Sequence, residues 1–189
     1  MLKVYNTLTK KKEMFIPLEK GKVGMYVCGP TVNGVPHAGH AKQKISFDVV
    51  ARYLRYLGNK VNYVSNITDV DDKIIIGARN ENIPVSEIVN KYIKAHKEAY
   101  AALELAPLTY EPRATEHIKD MVKFINILLK KKYAYLSADG SIYYDISKFK
   151  EYGKLSHTKI KELKEGASKR INNDEYEKDQ ANDFALWKA

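Results

Sequence analysis

One segment of the sequence, from Val23 to Ile67, constrains the fold more than any other. Its first six residues, Val23–Cys28, are mostly apolar and typical of a buried strand, and a Gly-Pro pair ends the run. Apolar residues then recur at helical spacing as far as Leu57, and Gly58 stands where a glycine commonly ends a helix. A second strand-like run, Val61–Ile67, follows. Because parallel strands need a crossover connection between them, the pattern predicts an α/β fold with a parallel sheet.

The start of the predicted helix has the features of an anion site. Backbone N–H groups and the helix dipole favour phosphate there, outside the carboxyl end of the preceding strand. His37, Gly39 and His40 fall at this position, and both imidazoles can donate hydrogen bonds to phosphate oxygens. Gly39 also removes a side chain that would block the approach of a ligand. Surface histidines are common, but the strand before this motif and the helix after it favour a phosphate site.

Composition limits the class of protein. At 189 residues the chain is long enough for one domain, or for a domain that carries an insertion. The formal net charge of +9 favours an anionic partner, although lysine-rich surfaces also serve solubility. No segment approaches the roughly 18 apolar residues of a membrane-spanning helix. A single cysteine excludes an internal disulfide, so the composition indicates a reducing, cytoplasmic setting and no membrane.

The rest of the chain alternates between further elements. Leu2–Leu8 reads as a short strand, and Lys10–Lys12 as the turn after it. An apolar stripe predicts a packing helix over Pro84–Leu103. Thr115 is a suitable N-cap for the next helix, and the residues 133–146 predict a β-hairpin that turns at an Asp-Gly pair.

Polar segments separate these elements. The carboxylates in 66–73 lack the glycine and glutamate spacing of a calcium loop, so at least two are expected to cap the next helix. His96 lies on an apolar stripe and is expected to be a core residue. The segment 106–115, APLTYEPRAT, reads as a loop. The segment 147–170 reads as a lysine-rich linker with a short helix near 157–165, and 172–183 as a polar stretch before a strand at 184–187.

Five stretches of the sequence carry a resemblance to a known family. MYVCGPTVNGVPHAGHAK, FDVVARYLRYLG, NITDVDDKI, EPRATEHI and DFALWK occur in the order found in cysteinyl-tRNA synthetases, which are class I aminoacyl-tRNA synthetases. The resemblance implies a Rossmann-like nucleotide-binding fold whose N-terminal half occupies residues 1–80. Helices and a connective insertion with the β-hairpin are expected over 81–189, ending before the second Rossmann half. The family's enzyme is longer, so we expect this chain to be an N-terminal piece of it.

The resemblance also implies an activity and its residues. The family activates cysteine with ATP and Mg²⁺ and transfers it to the 3′ end of tRNA(Cys). The resemblance implies that His37 and His40 are catalytic and bind ATP. It implies that Gly29, Thr31 and Gly39 form the floor of the nucleotide site. It also implies that Cys28 and Thr68 contact the substrate cysteine. The family's residue at Cys28 is also a Zn²⁺ ligand. Its other zinc ligands and its Lys-Met-Ser-Lys-Ser loop lie beyond Ala189, so we expect Cys28 to lack firmly bound zinc in this chain.

Three functions stay open at this stage. The chain is expected to be an inactive fragment, if taken alone, of a cysteine–tRNA ligase that works as a monomer. A related ligase that joins cysteine to an amino-sugar has similar N-terminal architecture. The third alternative is a non-catalytic module that binds tRNA or another protein.

Overall fold

The structure is a computed structural model that describes residues 2–158 and 183–189. Contacts within the chain divide it into two compact units. The first, here called the αβ unit, is Ile16–Ile118, and the second, the antiparallel unit, combines Met1–Phe15 with Lys119–Ala189. The division at residue 80 that the sequence suggests stays a prediction.

The regular elements of the described residues follow one another in chain order. They are β1 (Lys3–Asn6), β2 (Lys11–Met14), β3 (Lys22–Val27), α1 (Ala38–Tyr56), β4 (Lys60–Ser65), α2 (Asp72–Glu81), α3 (Val85–Ala102), α4 (Ile118–Lys130), β5 (Ala134–Leu136), β6 (Ile142–Tyr144) and β7 (Phe184–Trp187). Short 3₁₀ turns occupy Ala114–His117 and Ile146–Lys148.

The αβ unit contains the predicted strand, helix and parallel strand. β3 and β4 pair in parallel from Lys22 opposite Lys60 to Val27 opposite Ser65, and α1 connects them. Gly58 follows α1 with φ +84°, the left-handed conformation that favours glycine after a helix. The prediction of a parallel α/β unit is therefore confirmed.

A third extended segment lies beside β4, where the sequence predicted only a loop. Val64 and Ile67 form parallel bridges with Tyr110 and Arg113, and the Ile67 N–H donates to the Pro112 carbonyl at 2.8 Å. The loop prediction for 106–115 is wrong from Tyr110 to Arg113, because the backbone groups of these residues pair with the edge of β4 and the segment that follows it. The αβ unit therefore presents three parallel segments.

The core of the αβ unit lies between α2, α3 and the segments that follow β3 and β4. Its buried residues are Val32, Ile67, Ile74, Ala78, Ile88, Val89 and Ile93. The apolar stripe predicted for α3 is confirmed, because its buried positions, Ile88, Val89, Ile93 and His96, recur at helical spacing.

The three carboxylates after β4 make different contacts. Asp71 is the N-cap of α2 and accepts a hydrogen bond from the Lys73 N–H at 2.9 Å, and Asp72 lies in the first turn. Asp69 instead accepts from the Thr115 hydroxyl at 2.6 Å. Thr115 therefore does not cap α4 as predicted: it lies within a 3₁₀ turn, and its hydroxyl is used by Asp69.

The described residues of the antiparallel unit form two hairpins. β1 pairs with β2, so Lys11 and Lys12 belong to a strand rather than to the predicted turn, and Lys10 takes the turn conformation with φ +57°. β5 and β6 form the predicted hairpin, with β7 paired antiparallel to β6. The predicted helix at 157–165 and the polar stretch 172–183 fall mostly outside the described residues.

No helix within residues 2–158 and 183–189 combines the length and the apolar character needed to cross a bilayer.

Candidate functional site

A cleft of about 580 Å³ opens at the carboxyl end of β3, beside the first turn of α1. Its lining is Gly29, Pro30, Thr31, Asn33, Gly34, Val35, His37, His40, Gln43, Asp71 and Lys73. The structure therefore brings the predicted residues Gly29, Thr31, His37 and His40 to one cavity. This is the edge of a parallel sheet at which α/β proteins bind ligands.

The two histidines cap the helix on which they lie. His37 is the N-cap residue of α1, and its Nδ1 accepts a hydrogen bond from the Gly39 N–H at 3.1 Å. The Nδ1 of His40 accepts from the His37 N–H at 3.2 Å. In a neutral imidazole, one nitrogen accepts and the other carries the proton. Both rings are therefore fixed as the tautomer that carries its proton on Nε2, and each offers one N–H donor.

Gly39 has a steric role in this arrangement. A Cβ added at Gly39 would lie 2.8 Å from Cε1 of the His37 ring, closer than carbon atoms tolerate. The sequence predicts that Gly39 lets a ligand approach. The structure adds a second reason for glycine, because the missing side chain makes room for the His37 imidazole.

The environment keeps His40 uncharged at neutral pH. Burial lowers the pKa of His40, and the neighbouring His37 and Lys44 lower it further. The rings of His37 and His40 have centroids 4.0 Å apart, so two positive charges there would repel each other. His40 therefore acts through a hydrogen bond from a neutral ring rather than through full positive charge.

The other predicted residues lie next to the cleft, around Asn66. The Asn66 Oδ1 accepts from the Gly29 N–H at 2.8 Å, and its Nδ2 donates to the Thr68 Oγ1 at 3.1 Å. Thr68 also forms a parallel bridge with Thr31. Because the Thr68 oxygen accepts from Asn66, its own O–H stays available to donate. Asn66 thus fixes the direction in which Thr68 can offer a proton.

The close approach of the chain to Asn66 requires glycine at position 29. A Cβ at Gly29 would lie only 1.4 Å from the Asn66 carbonyl oxygen, so no side chain fits there. The close approach joins the loop after β3 to the end of β4.

Cys28 is exposed and lies next to Gly29. Its carbonyl accepts from the Gln43 Nε2 at 3.3 Å, and its Sγ is 3.8 Å from the Gly29 carbonyl oxygen. Among the residues that the structure describes, no group of three or more His, Cys, Asp or Glu side chains could hold a metal ion. A zinc site needs three or four protein ligands, and Cys28 could supply one of them.

Sequence reasoning missed several residues of the site. Gln43, Asp71 and Lys73 line the cleft, and Asn66 organises its edge. Their position in the sequence could have identified three of them. Asn66, Asp71 and Lys73 follow the end of β4, just as the two histidines follow the end of β3. His96 is 3% exposed, which agrees with the core position that its stripe predicted.

Comparison with known proteins gives the family. The family model described as "tRNA synthetases class I (C) catalytic domain" matches residues 14–189. Cysteine–tRNA ligases from Latilactobacillus sakei, Limosilactobacillus reuteri and Enterococcus faecalis are 52%, 51% and 49% identical to this chain. Each match covers 100% of the chain and 40% of the relative, so the chain spans less than half the length of these relatives.

A solved structure shows the same fold. Mycobacterium tuberculosis methionyl-tRNA synthetase, in complex with methionyl-adenylate, matches with a TM-score of 0.55 and 20% identity. The match covers 60% of this chain and 23% of that one. The class I synthetase fold expected from the sequence is confirmed, and the chain belongs to the class I tRNA synthetase (C) catalytic-domain family.

Proposed function

We propose that the chain supplies the N-terminal catalytic part of a cysteine–tRNA ligase. The whole enzyme would activate cysteine with ATP and Mg²⁺, and transfer it to the 3′ end of tRNA(Cys) in the cytoplasm. The observation that carries the proposal is the pair of imidazoles at the start of α1. Both rings line the cleft, and both commit Nδ1 to a backbone N–H, leaving Nε2–H as the donor.

The proposed first step needs donors for phosphate oxygens rather than a protein nucleophile. The carboxylate of cysteine attacks the α-phosphorus of ATP, a new C–O–P linkage forms, and pyrophosphate leaves. Negative charge on the phosphate oxygens shifts during this step. Donors that are already oriented stabilise that charge without having to reorganise. His37 and His40 take this role, and Gly29 and Thr31 form the floor on which the nucleotide lies.

The cysteine substrate is assigned to the edge of the cleft near Asn66. Thr68 offers its O–H there, and the exposed thiol of Cys28 lies on the same loop as Gly29. We keep Cys28 as a proposed Zn²⁺ ligand of the whole enzyme. The remaining ligands would come from the part of the enzyme that this chain does not include, so the chemistry assigned to its own residues does not use zinc.

tRNA is assigned as the second substrate. The net charge of +9 supports a polyanionic partner, because lysine and arginine side chains release counterions from a nucleic-acid backbone.

The direct test is a hybrid enzyme. The chain replaces the matching N-terminal 40% of the Latilactobacillus sakei relative, to which it is 52% identical. We expect the hybrid to charge tRNA(Cys) with cysteine. His40→Ala should lower kcat about 10²- to 10³-fold, the loss typical of one oriented donor at a transition state. His157→Ala is the control, because His157 is exposed and lies in the antiparallel unit.

Two results would contradict the proposal. One is a folded hybrid that does not charge tRNA(Cys) under conditions in which the parent relative does. The other is equal activity of the His40→Ala and His157→Ala hybrids. The isolated 189-residue chain should not catalyse cysteine-dependent exchange of pyrophosphate into ATP, and such exchange would show that the chain is catalytically complete.

A further inference from the structure

A buried histidine on α3 contacts a predicted catalytic histidine. His96 is 3% exposed, and its ring meets that of His40 edge to face, with centroids 5.1 Å apart and planes at 76°. Two further contacts act on the His40 ring: its Nδ1 accepts a 3.2 Å hydrogen bond from the His37 N–H, and the His37 ring lies against it at a tilt of 35°. His96 is therefore a buried contact that can hold the His40 ring in one orientation.

Tyr100 fixes the His96 ring in turn. The Tyr100 hydroxyl lies 3.0 Å from the His96 Nδ1, one helical turn along α3. Burial raises the pKa of Tyr100 to about 12, so its hydroxyl keeps its proton at neutral pH and can donate it to that nitrogen. Burial and then the neighbouring His40 lower the pKa of His96, which favours the neutral ring whose Nδ1 can accept this hydrogen bond.

Lys44 contacts the ring of Tyr100. Its Nζ lies 5.3 Å from the centroid of the Tyr100 ring and donates to the Ser65 Oγ at 2.8 Å. Lys44 is 4% exposed, and Ser65 is fully buried at the end of β4. Lys44 also lies one turn after His40 on α1. Side chains from α1, β4 and α3 thus form one connected set that includes His40; Lys44, Ser65 and His96 are buried, and Tyr100 is half-buried.

We propose that His96, supported by Tyr100 and Lys44, is a positioning residue for His40. It sets the plane of the His40 ring, and so the direction of the Nε2–H that donates to the nucleotide phosphates. The role assigned to His40 rests on the proposed function, whereas the positioning of its ring does not. Displacing a reacting group by about 1 Å can cost about 10²-fold in rate, so a buried support of this kind has a measurable effect.

Two variants separate positioning from general packing. His96→Gln keeps an amide that can bond Tyr100 but removes the ring that contacts His40. Tyr100→Phe removes only the hydroxyl. Tyr92→Phe is the matched control, because Tyr92 lies on the same helix and also has a lysine, Lys91, 5.3 Å above its ring.

The first readout is the imidazole NMR spectrum of the 189-residue chain. We expect His96→Gln and Tyr100→Phe to move and broaden the His40 ring signals, and Tyr92→Phe to leave them in place. Far-ultraviolet circular dichroism checks that each variant is folded. His40 signals that match the control in both folded variants would overturn the proposal.

The second readout is the kinetics of the hybrid enzyme. His96→Gln should lower kcat for cysteine-dependent pyrophosphate exchange about 10- to 100-fold with KM for ATP unchanged, because a positioning contact acts on the transition state more than on binding. A kcat equal to that of Tyr92→Phe would overturn the proposal. If the wild-type hybrid is inactive, the proposed function fails. The NMR spectrum of the 189-residue chain still tests whether His96 positions the His40 ring.

Discussion

Substituting Gly29 by alanine tests the contact that joins β3 to the end of β4. The added Cβ would lie 1.4 Å from the Asn66 carbonyl oxygen. Non-bonded heavy atoms need roughly 3.5 Å, so the two segments would have to separate by about 2 Å. That movement breaks the 2.8 Å hydrogen bond from the Gly29 N–H to Asn66, and it displaces Thr68.

The expected loss follows from two contributions. Overpacking of a close contact costs about 1–3 kcal/mol. Loss of one hydrogen bond costs about 0.5–1.5 kcal/mol. We therefore expect Gly29→Ala to lower the free energy of opening of the αβ unit by about 2–4 kcal/mol, which corresponds to amide exchange that is roughly 30- to 1,000-fold faster.

The assay is hydrogen exchange followed by mass spectrometry on peptides that cover β3 and β4. Fluorescence is less suitable, because the single tryptophan, Trp187, lies in the antiparallel unit. Gly24→Ala is the control: Gly24 lies within β3, the strand that precedes Gly29, and an added Cβ there meets nothing within 4 Å. If Gly29→Ala exchanges no faster than Gly24→Ala, the steric reasoning is refuted.

Three further predictions concern the site. Burial lowers the pKa of His40 and of His96, so the unfolded chain binds more protons than the folded chain just below pH 6.5. The urea concentration at the unfolding midpoint should therefore decrease as the pH is lowered from 7.5 to 5.5, and a constant midpoint would contradict the lowered pKa of these two rings. Asn66→Ala should leave the Gly29 N–H without its acceptor and cost about 1–3 kcal/mol, measured by urea unfolding; a loss below that of an exposed Asn62→Ala control would argue against the network. Cys28 is exposed, so one thiol per chain should react with a thiol reagent under native conditions, and protection until unfolding would contradict its placement.

Strong local signals made the αβ unit predictable from the sequence. The apolar periodicity of α1, the two strand-like runs and Gly58 agree with one another, and the structure follows them to within a few residues. The capping role of Asp71 was predictable for the same reason, because an N-cap depends only on the first turn of its own helix.

Contacts between distant residues were not predictable in this way. The segment that ends at Arg113 contains prolines and reads as a loop, and it becomes extended only because the edge of β4 offers it backbone partners. Asn66 bonds Gly29, which is 37 residues away in the sequence, and no periodicity marks such a residue. His96 reads correctly as a core residue, but its contact with His40 depends on how α3 packs near α1.

The most direct test of the nucleotide site is a titration of the isotope-labelled chain with ATP, followed through its imidazole signals. We predict saturable shifts of His37 and His40 with ATP, because each offers an Nε2–H to phosphate, and no such shifts with adenosine, which has no phosphate. His157, in the antiparallel unit, serves as the internal control. Shifts of His37 and His40 that are equal with adenosine and ATP, or no larger than those of His157, would contradict the assignment of these two residues to phosphate binding.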